Sequence, residues 1–268
     1  MQPSPSPEHA LADHRRQIVA EFTRQAGTLD AGRMFNDAAM LARIREAAAL
    51  TRASRALDVA CGPGIVAETL AHDAGEVVAC DITPEMLARA SHRFVKTGLA
   101  NVRCVLGKAE ELPFDNGSFD VVLTRAALHH FPHPAVALSE MARVLRTSGR
   151  AIIVDATSSE DPDESALHNA LEMLRDPSHV RMLPKSELLA ALPDAGLDAK
   201  TIVEWVNPQE LDEWLKVANA PERARPLRAL MTALVNAGLR AGINLRLESG
   251  RLLFEHHRLF VVAEKTHA

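Results

Sequence analysis

Arg55-Ala56-Leu57-Asp58-Val59-Ala60-Cys61-Gly62-Pro63-Gly64-Ile65-Val66-Ala67 decides how the rest of this chain is read. It runs from a short apolar strand through a tight glycine-containing turn into the opening of a helix. In that geometry main chain comes close to a ligand at the carboxyl edge of a parallel sheet. Gly62 and Gly64 allow backbone angles and a closeness of approach that a Cβ would block. The next apolar run, Glu76-Val77-Val78-Ala79-Cys80-Asp81, ends in an acid able to accept hydrogen bonds from both hydroxyls of a ribose. Gly62-x-Gly64-x-x-Ala67, with Asp81 about 20 residues on, also satisfies the loose dinucleotide fingerprint. An NAD(P)-dependent oxidoreductase on a Rossmann-type site is therefore an alternative reading. Asp58 argues against it: inside the strand, just before the turn, it would repel a diphosphate and welcome a cationic amino-acid moiety.

Downstream lies Gly107-Lys108-Ala109-Glu110-Glu111-Leu112-Pro113-Phe114-Asp115-Asn116-Gly117-Ser118-Phe119-Asp120-Val121-Val122, followed by Ala127-Leu128-His129-His130-Phe131-Pro132. Together with Leu57-Asp58-Val59-Ala60-Cys61-Gly62-x-Gly64 and Asp81, these stretches resemble the class I S-adenosylmethionine-dependent methyltransferases. The branch they resemble is the ubiquinone/menaquinone C-methyltransferase-like one (methyltransferase type 11). The resemblance covers residues 40 to 200 well and the two ends poorly. It implies S-adenosylmethionine as cofactor and a small-molecule methyl acceptor. Asp58, or the backbone beside it, would take the ammonium end, Cys61, Gly62 and Gly64 the thin main-chain side, and Asp81 the ribose diol. Ile82 and Met86 would flank the adenine, with Ala109 and Glu110 near its ring edge.

Three departures from the family pattern stand out. Ala60 replaces the commoner first glycine, read as a mild change. Lys108 stands where the family usually has an aspartate accepting from the adenine amine. Lysine cannot accept a hydrogen bond, so Glu110 or a backbone carbonyl has to take that role. Thr147-Ser148-Gly149 replaces a Pro-Gly-Gly turn, which should matter little.

Bulk properties set limits on this reading. At 268 residues and 47% hydrophobic, the chain can bury a full core and suits one domain with appendages. A net charge of −5 argues against nucleic acid as partner, because phosphate binding rests on clustered cationic surface. No uninterrupted apolar run approaches the ~20 residues of a membrane helix, so no membrane insertion is expected. Met1-Gln2-Pro3-Ser4-Pro5-Ser6-Pro7 has neither basic n-region nor apolar h-region and reads as a disordered tip rather than a signal peptide. Cys61, Cys80 and Cys104 read as buried free thiols of a cytoplasmic protein. Tyrosine is absent, which excludes a phenol base. A homodimer is compatible with all of this.

In chain order the reading is a doubly wound, Rossmann-like α/β fold with a mostly parallel seven-stranded sheet. Residues 1–50 form the tip and a helical arm, and 51–268 the methyltransferase domain, with a helical cap inserted at 208–251. A first helix runs from Glu8 to about Ala26, and a second starts at Asn36 as N-cap. Phe35 and its neighbours either close over the cofactor as a lid or pack on the sheet. Thr83-Pro84-Glu85 opens a helix that stops at Gly98. Strands end at Asp81, Leu106, Leu123 and Val154; Ser186 caps a later helix, and strand six covers about Ala199 to Val206. The insertion is read as helices Pro208–Ala220 and Arg225–Arg240 before a last strand at His257–Glu264. Its arginines at 223, 225, 228, 240, 246 and 251 form either a solvated face or a cap that meets an anionic substrate.

The cofactor carries an activated methyl, so the protein's task is to hold a nucleophile in line with it. His129 and, second, His130 sit where a base is needed, since a histidine can deprotonate an O, N or acidic C–H nucleophile near neutrality. Both could instead merely pack. Gly62, Asp81, Ala109 and Arg125 are expected to converge on one crevice. His133, His256 and His257 are expected outside the chemistry. No histidine–carboxylate cluster has metal spacing in the sequence, and no metal is expected. A catalytically idle S-adenosylmethionine-binding protein is the third reading.

Overall fold

The computed structural model describes residues 7–31 and 36–266. Five parallel strands make its centre: β1 (Arg55–Val59), β2 (Glu76–Asp81), β3 (Val102–Leu106), β4 (Phe119–Arg125) and β5 (Leu145–Thr157). Helices α1 (Pro7–Ala31) and α2 (Ala38–Ala48) precede them; α3 (Ile65–Ala71), α4 (Pro84–Lys96) and α5 (Pro134–Val144) connect them. After β5 come α6 (Pro162–Arg175), α7 (Lys185–Asp194), β6 (Leu197–Glu210), α8 (Leu211–Ala218), α9 (Pro221–Asn236), β7 (Arg246–Glu248) and β8 (Arg251–Lys265).

The sheet order is β3-β2-β1-β4-β5-β8-β6, with β8 antiparallel to both its neighbours and β7 folded back on β8. The expected doubly wound sheet is therefore present, with eight strands rather than seven. Alternate residues feed two cores on opposite faces. Leu57, Val78, Val122 and Ile153 meet Leu138 and Met141 of α5 on one face. Ala56, Val77, Val121 and Ile152 meet Ile44, Leu70 and Phe94 of α2, α3 and α4 on the other. The chain builds the sheet outward from β1 through β2 to β3 on one side and from β4 to β5 on the other, so the strand order reverses between β1 and β4 and a crevice opens beyond their carboxyl ends.

Several boundaries move. Asp37, not Asn36, caps α2, its carboxylate accepting from the N–H groups of Ala39 and Met40. Thr83 occupies the N-cap of α4 without a capping side-chain bond; Pro84 at the first turn is as expected. Pro184, not Ser186, precedes α7, and the Ser186 hydroxyl donates to Glu160 at 2.5 Å. β5 starts at Leu145, and a register shift opposite Phe119 absorbs Thr147-Ser148-Gly149, with Ser148 at φ +62°. β6 runs on through Pro208 to Glu210, so α8 begins only at Leu211; β8 starts six residues before His257. α9 spans Pro221–Asn236 instead of Arg225–Arg240. Cys61 and Cys80 are buried and Cys104 is half-buried; all three thiols are free. Phe35 and the first six residues lie outside the described residues.

α6 has no counterpart in the sequence reading. Asp161 caps it through the N–H groups of Asp163 and Glu164, and Pro162 stands in its first turn. Its buried face, however, carries Ser165, His168, Asn169 and Glu172 beside Leu171. Polar residues on the inner face erase the apolar period on which a helix is recognised. Together with α8, α9 and the start of β8 it encloses a separate core of Leu171, Trp214, Leu227, Met231, Leu245 and Phe254.

Candidate active site

One cavity of about 1570 Å³ lies at the carboxyl edge of the sheet. Pockets for a single small ligand usually measure ~300–1,000 Å³, so there is room for a cofactor and an acceptor together.

Asp58, Cys61, Gly62, Asp81, Ile82, Met86, Ala109, Glu110 and Arg125 all line this cavity, as does Ala60. The convergence expected of Gly62, Asp81, Ala109 and Arg125 is thus met, and the carboxylates at 58 and 81 face one space. Asp58 is 2% exposed and accepts from the Ala67 N–H at 3.0 Å. Burial, with the Asp81 charge adding, pushes its carboxyl up to about 7. Asp81 accepts from the N–H of Gly62 at 2.9 Å and of Thr83 at 2.8 Å, and burial raises it too. Two buried acids of one sign are relieved by a cation or by hydroxyl donors.

Gly62 has φ +53° and its Cβ position is open, which leaves bare main chain towards the cavity. Gly64 does not line the cavity. Its φ is +81°, and a Cβ there would come within 2.7 Å of the Phe94 ring, so it serves the packing of α4. Ala60 has φ +56°. The main chain keeps a left-handed conformation that costs an L-residue roughly 1–2 kcal/mol, so this replacement is not mild.

Met86 is 1% exposed and packs on Ala26 and Leu29 of α1. Leu29 thus offers apolar cover over Met86. Lys108 is paired with Glu111 at 2.5 Å, and Glu110 lines the cavity next to it. Open glycine main chain, two buried acids and an apolar wall fit a sulfonium cofactor bearing an ammonium, a ribose diol and an adenine.

At the other end, His129 lines the cavity with Nδ1 2.5 Å from Asp155 Oδ1. Asp155 is buried and also accepts from the N–H groups of Ala127, Leu128 and Ala156 at 3.1, 2.7 and 2.6 Å. Burial opposes ionisation there, but His129 and the donors outweigh it, and the carboxyl is held below its ordinary range. A carboxylate on Nδ1 fixes that nitrogen as N–H and leaves Nε2 bare. His130 also lines the cavity, but its Nδ1 is 3.0 Å from the Ser178 carbonyl and its ring meets Phe22 edge-on. Burial pushes it down to about 4, so it is neutral at pH 7. His129 thus presents Nε2 as a proton acceptor, whereas His130 is tied to the Ser178 carbonyl and packed on Phe22.

Glu172, Arg175, Asp176 and Arg258 line the cavity without having been singled out from the sequence, nor was Asp155, which stands behind His129; His256, expected outside the chemistry, lines it as well. Asp155 had a readable signal: like Asp81, it terminates an apolar strand, Ala151 to Val154. The expectation of no metal-type cluster is also corrected, because the fold brings His168, Glu172 and His256 together. His168 and Glu172 are one helical turn apart, a relation hidden while α6 went unread. None of the arginines at 223, 225, 228, 240, 246 and 251 lines the cavity. Arg223 pairs with Glu21 at 2.7 Å, Arg228 with Asp212, and Arg246 with Glu248 at 2.7 Å. Arg125, at the end of β4, is lowered to about 10, chiefly by burial.

The sequence pattern of the family described as Methyltransferase domain matches residues 57–153. An uncharacterized methyltransferase, YcgJ of Bacillus subtilis (strain 168), is 39% identical over 167 residues, covering 62% of this chain and 66% of that protein. A demethylmenaquinone methyltransferase of Corynebacterium efficiens is 30% identical over 171 residues, covering 63% of this chain and 68% of that one. The crystal structure of YcgJ superimposes with a TM-score of 0.79 at 32% identity, over 85% of this chain and 98% of that one.

Proposed function

This chain belongs to the class I methyltransferases of the ubiquinone/menaquinone C-methyltransferase-like branch, and from that footing we propose that it methylates a small aromatic or quinol-type acceptor with S-adenosylmethionine. The transfer is an in-line displacement. When bound, the cofactor supplies a methyl group already activated by its sulfonium. Asp58 and the main chain at Cys61 and Gly62 hold its amino-acid end, and Asp81 its ribose diol. Ile82, Met86, Ala109 and Glu110 line the adenine side.

His129 removes the proton from the acceptor's hydroxyl or acidic C–H. Asp155 orients the imidazole through Nδ1 and stabilises it once Nε2 is protonated. Phe22, Phe131, Met182 and Trp214 line the same cavity and supply apolar walls for a flat acceptor. The likeness to a demethylmenaquinone methyltransferase supports a quinol-type acceptor here. α1 and the cap at 208–251 exclude water above the site. Three free thiols suit a reducing cytoplasm.

The observation that carries this reading is that Asp58, Asp81 and His129, the last held from behind by Asp155, face one cavity large enough for two ligands. Isothermal titration with S-adenosylmethionine and with NAD tests the cofactor. A panel of hydroquinones and phenols with methyl-labelled cofactor tests the acceptor class. Heat from NAD alone, or binding with no labelled product from any aromatic acceptor, overturns the corresponding half.

A further inference from the structure

We propose that His168, Glu172 and His256 form a binding site for a first-row divalent cation in the wall of the cavity, with one coordination position open to the acceptor. His168 and Glu172 stand one turn apart on α6, and His256 reaches them from β8. One ligand atom from each lies within 4.8 Å of the other two, and all three side chains are buried. In a tetrahedral site with bonds of ~2.1 Å, ligand atoms stand about 3.4 Å apart. His256 Nε2 and His168 Nε2 approach Glu172 Oε1 at 2.9 and 3.6 Å, which brackets that spacing.

These contacts are not ordinary hydrogen bonds. Neither contact meets hydrogen-bond geometry, and both nitrogens of each ring, and Glu172 Oε1, have no hydrogen-bond partner. Adding the indole nitrogen of Trp214, six of the ten such buried side-chain atoms among the described residues sit at this one place. Buried polar groups are nearly always satisfied, and a local concentration of exceptions marks a bound species. Two imidazoles and a carboxylate on a common point are a donor set for zinc, cobalt or iron(II).

The surroundings suit such an ion. Arg175 Nε holds Glu172 Oε2 at 3.2 Å, which orients the carboxylate and leaves Oε1 as ligand. Glu172 and His256 line the cavity whereas His168 stands behind them, so the open position faces the acceptor. The ion's fourth ligand is then an oxygen of the acceptor, or water in its absence.

Cation binding is independent of methyl transfer and is tested apart from it. The whole chain is stripped with chelator, loaded with Zn²⁺ or Co²⁺, dialysed, and analysed for bound metal and for the visible spectrum of cobalt. One equivalent per chain with a low-symmetry cobalt spectrum is expected. His168→Ala/His256→Ala should weaken binding ~100-fold or more, while His72→Ala/His92→Ala, at exposed positions, keeps it. Circular dichroism and S-adenosylmethionine titration check that the double variant folds; if it does not, His256→Gln replaces it, with the same expected loss. Wild type that retains no metal, or a folded variant that retains it equally, overturns the proposal.

Discussion

Asp58 is the residue on which protonation and ligand binding meet. Burial raises its folded value to about 7, above the ordinary ~3.9 of an unfolded chain. A raised carboxyl stabilises the fold below the unfolded value and loses that contribution as pH rises through the folded one. The ligand-free protein should therefore melt lower at pH 8 than at pH 5. Asp58→Asn should flatten this slope while weakening the cofactor; equal slopes in a scanning-fluorimetry series would refute the assignment. At His129 the expectation is kinetic: His129→Ala lowers turnover and leaves cofactor affinity intact. Asp155→Asn should cost ~10²-fold in kcat, with cofactor Kd unchanged, because the imidazole loses its orienting acceptor; single-turnover kinetics separates the two constants. Ala60→Gly removes a left-handed alanine and should raise Tm by ~2–4 °C for about 1 kcal/mol, read by calorimetry.

At the scale of elements, α1 is tied to the cap from several points. Thr28 Oγ1 donates to the Val217 carbonyl at 2.7 Å, and Asn219 Nδ2 to the Arg24 carbonyl at 3.1 Å. Arg223 grips both carboxylate oxygens of Glu21 at 2.7 and 3.1 Å and donates to the Arg175 carbonyl. On the proposed reading, in which the cofactor lies beneath Leu29 and Met86, its exchange would require this contact to loosen. Arg223→Ala removes a partly exposed pair worth ~1 kcal/mol after screening, so stopped-flow release of S-adenosylhomocysteine should speed up about fivefold. An unchanged rate would mean that α1 is no lid. The helices that could be read in the sequence were those with an outward polar face: Pro84 and Gly98 bracket α4 as expected. α6 failed that test because its inner face is polar, and the His168–Glu172–His256 cluster and the cavity-lining Glu172, Arg175 and Asp176 escaped with it.

Over the whole molecule, the parallel half of the sheet was legible because strands covered on both faces are unbroken apolar runs ending in functional acids. Asp81 at the end of β2 illustrates this, and Asp155, after the apolar run Ala151 to Val154 of β5, follows the same rule. The later half was less so. β6 and β8 are long antiparallel partners; in β6 exposed positions alternate with half-buried ones, and Pro208 near its end reads locally as a helix start. Pairs such as His129 with Asp155, or Glu172 with His256, depend on which strands become neighbours, which no local spacing records.

The bond between Glu21 and Arg223 spans 202 positions. During synthesis the first helix therefore waits for its partner until most of the polypeptide has left the ribosome. Up to then the glycine turn is made but uncovered, and a chain truncated before α8 should fold its central strands yet release the methyl donor quickly.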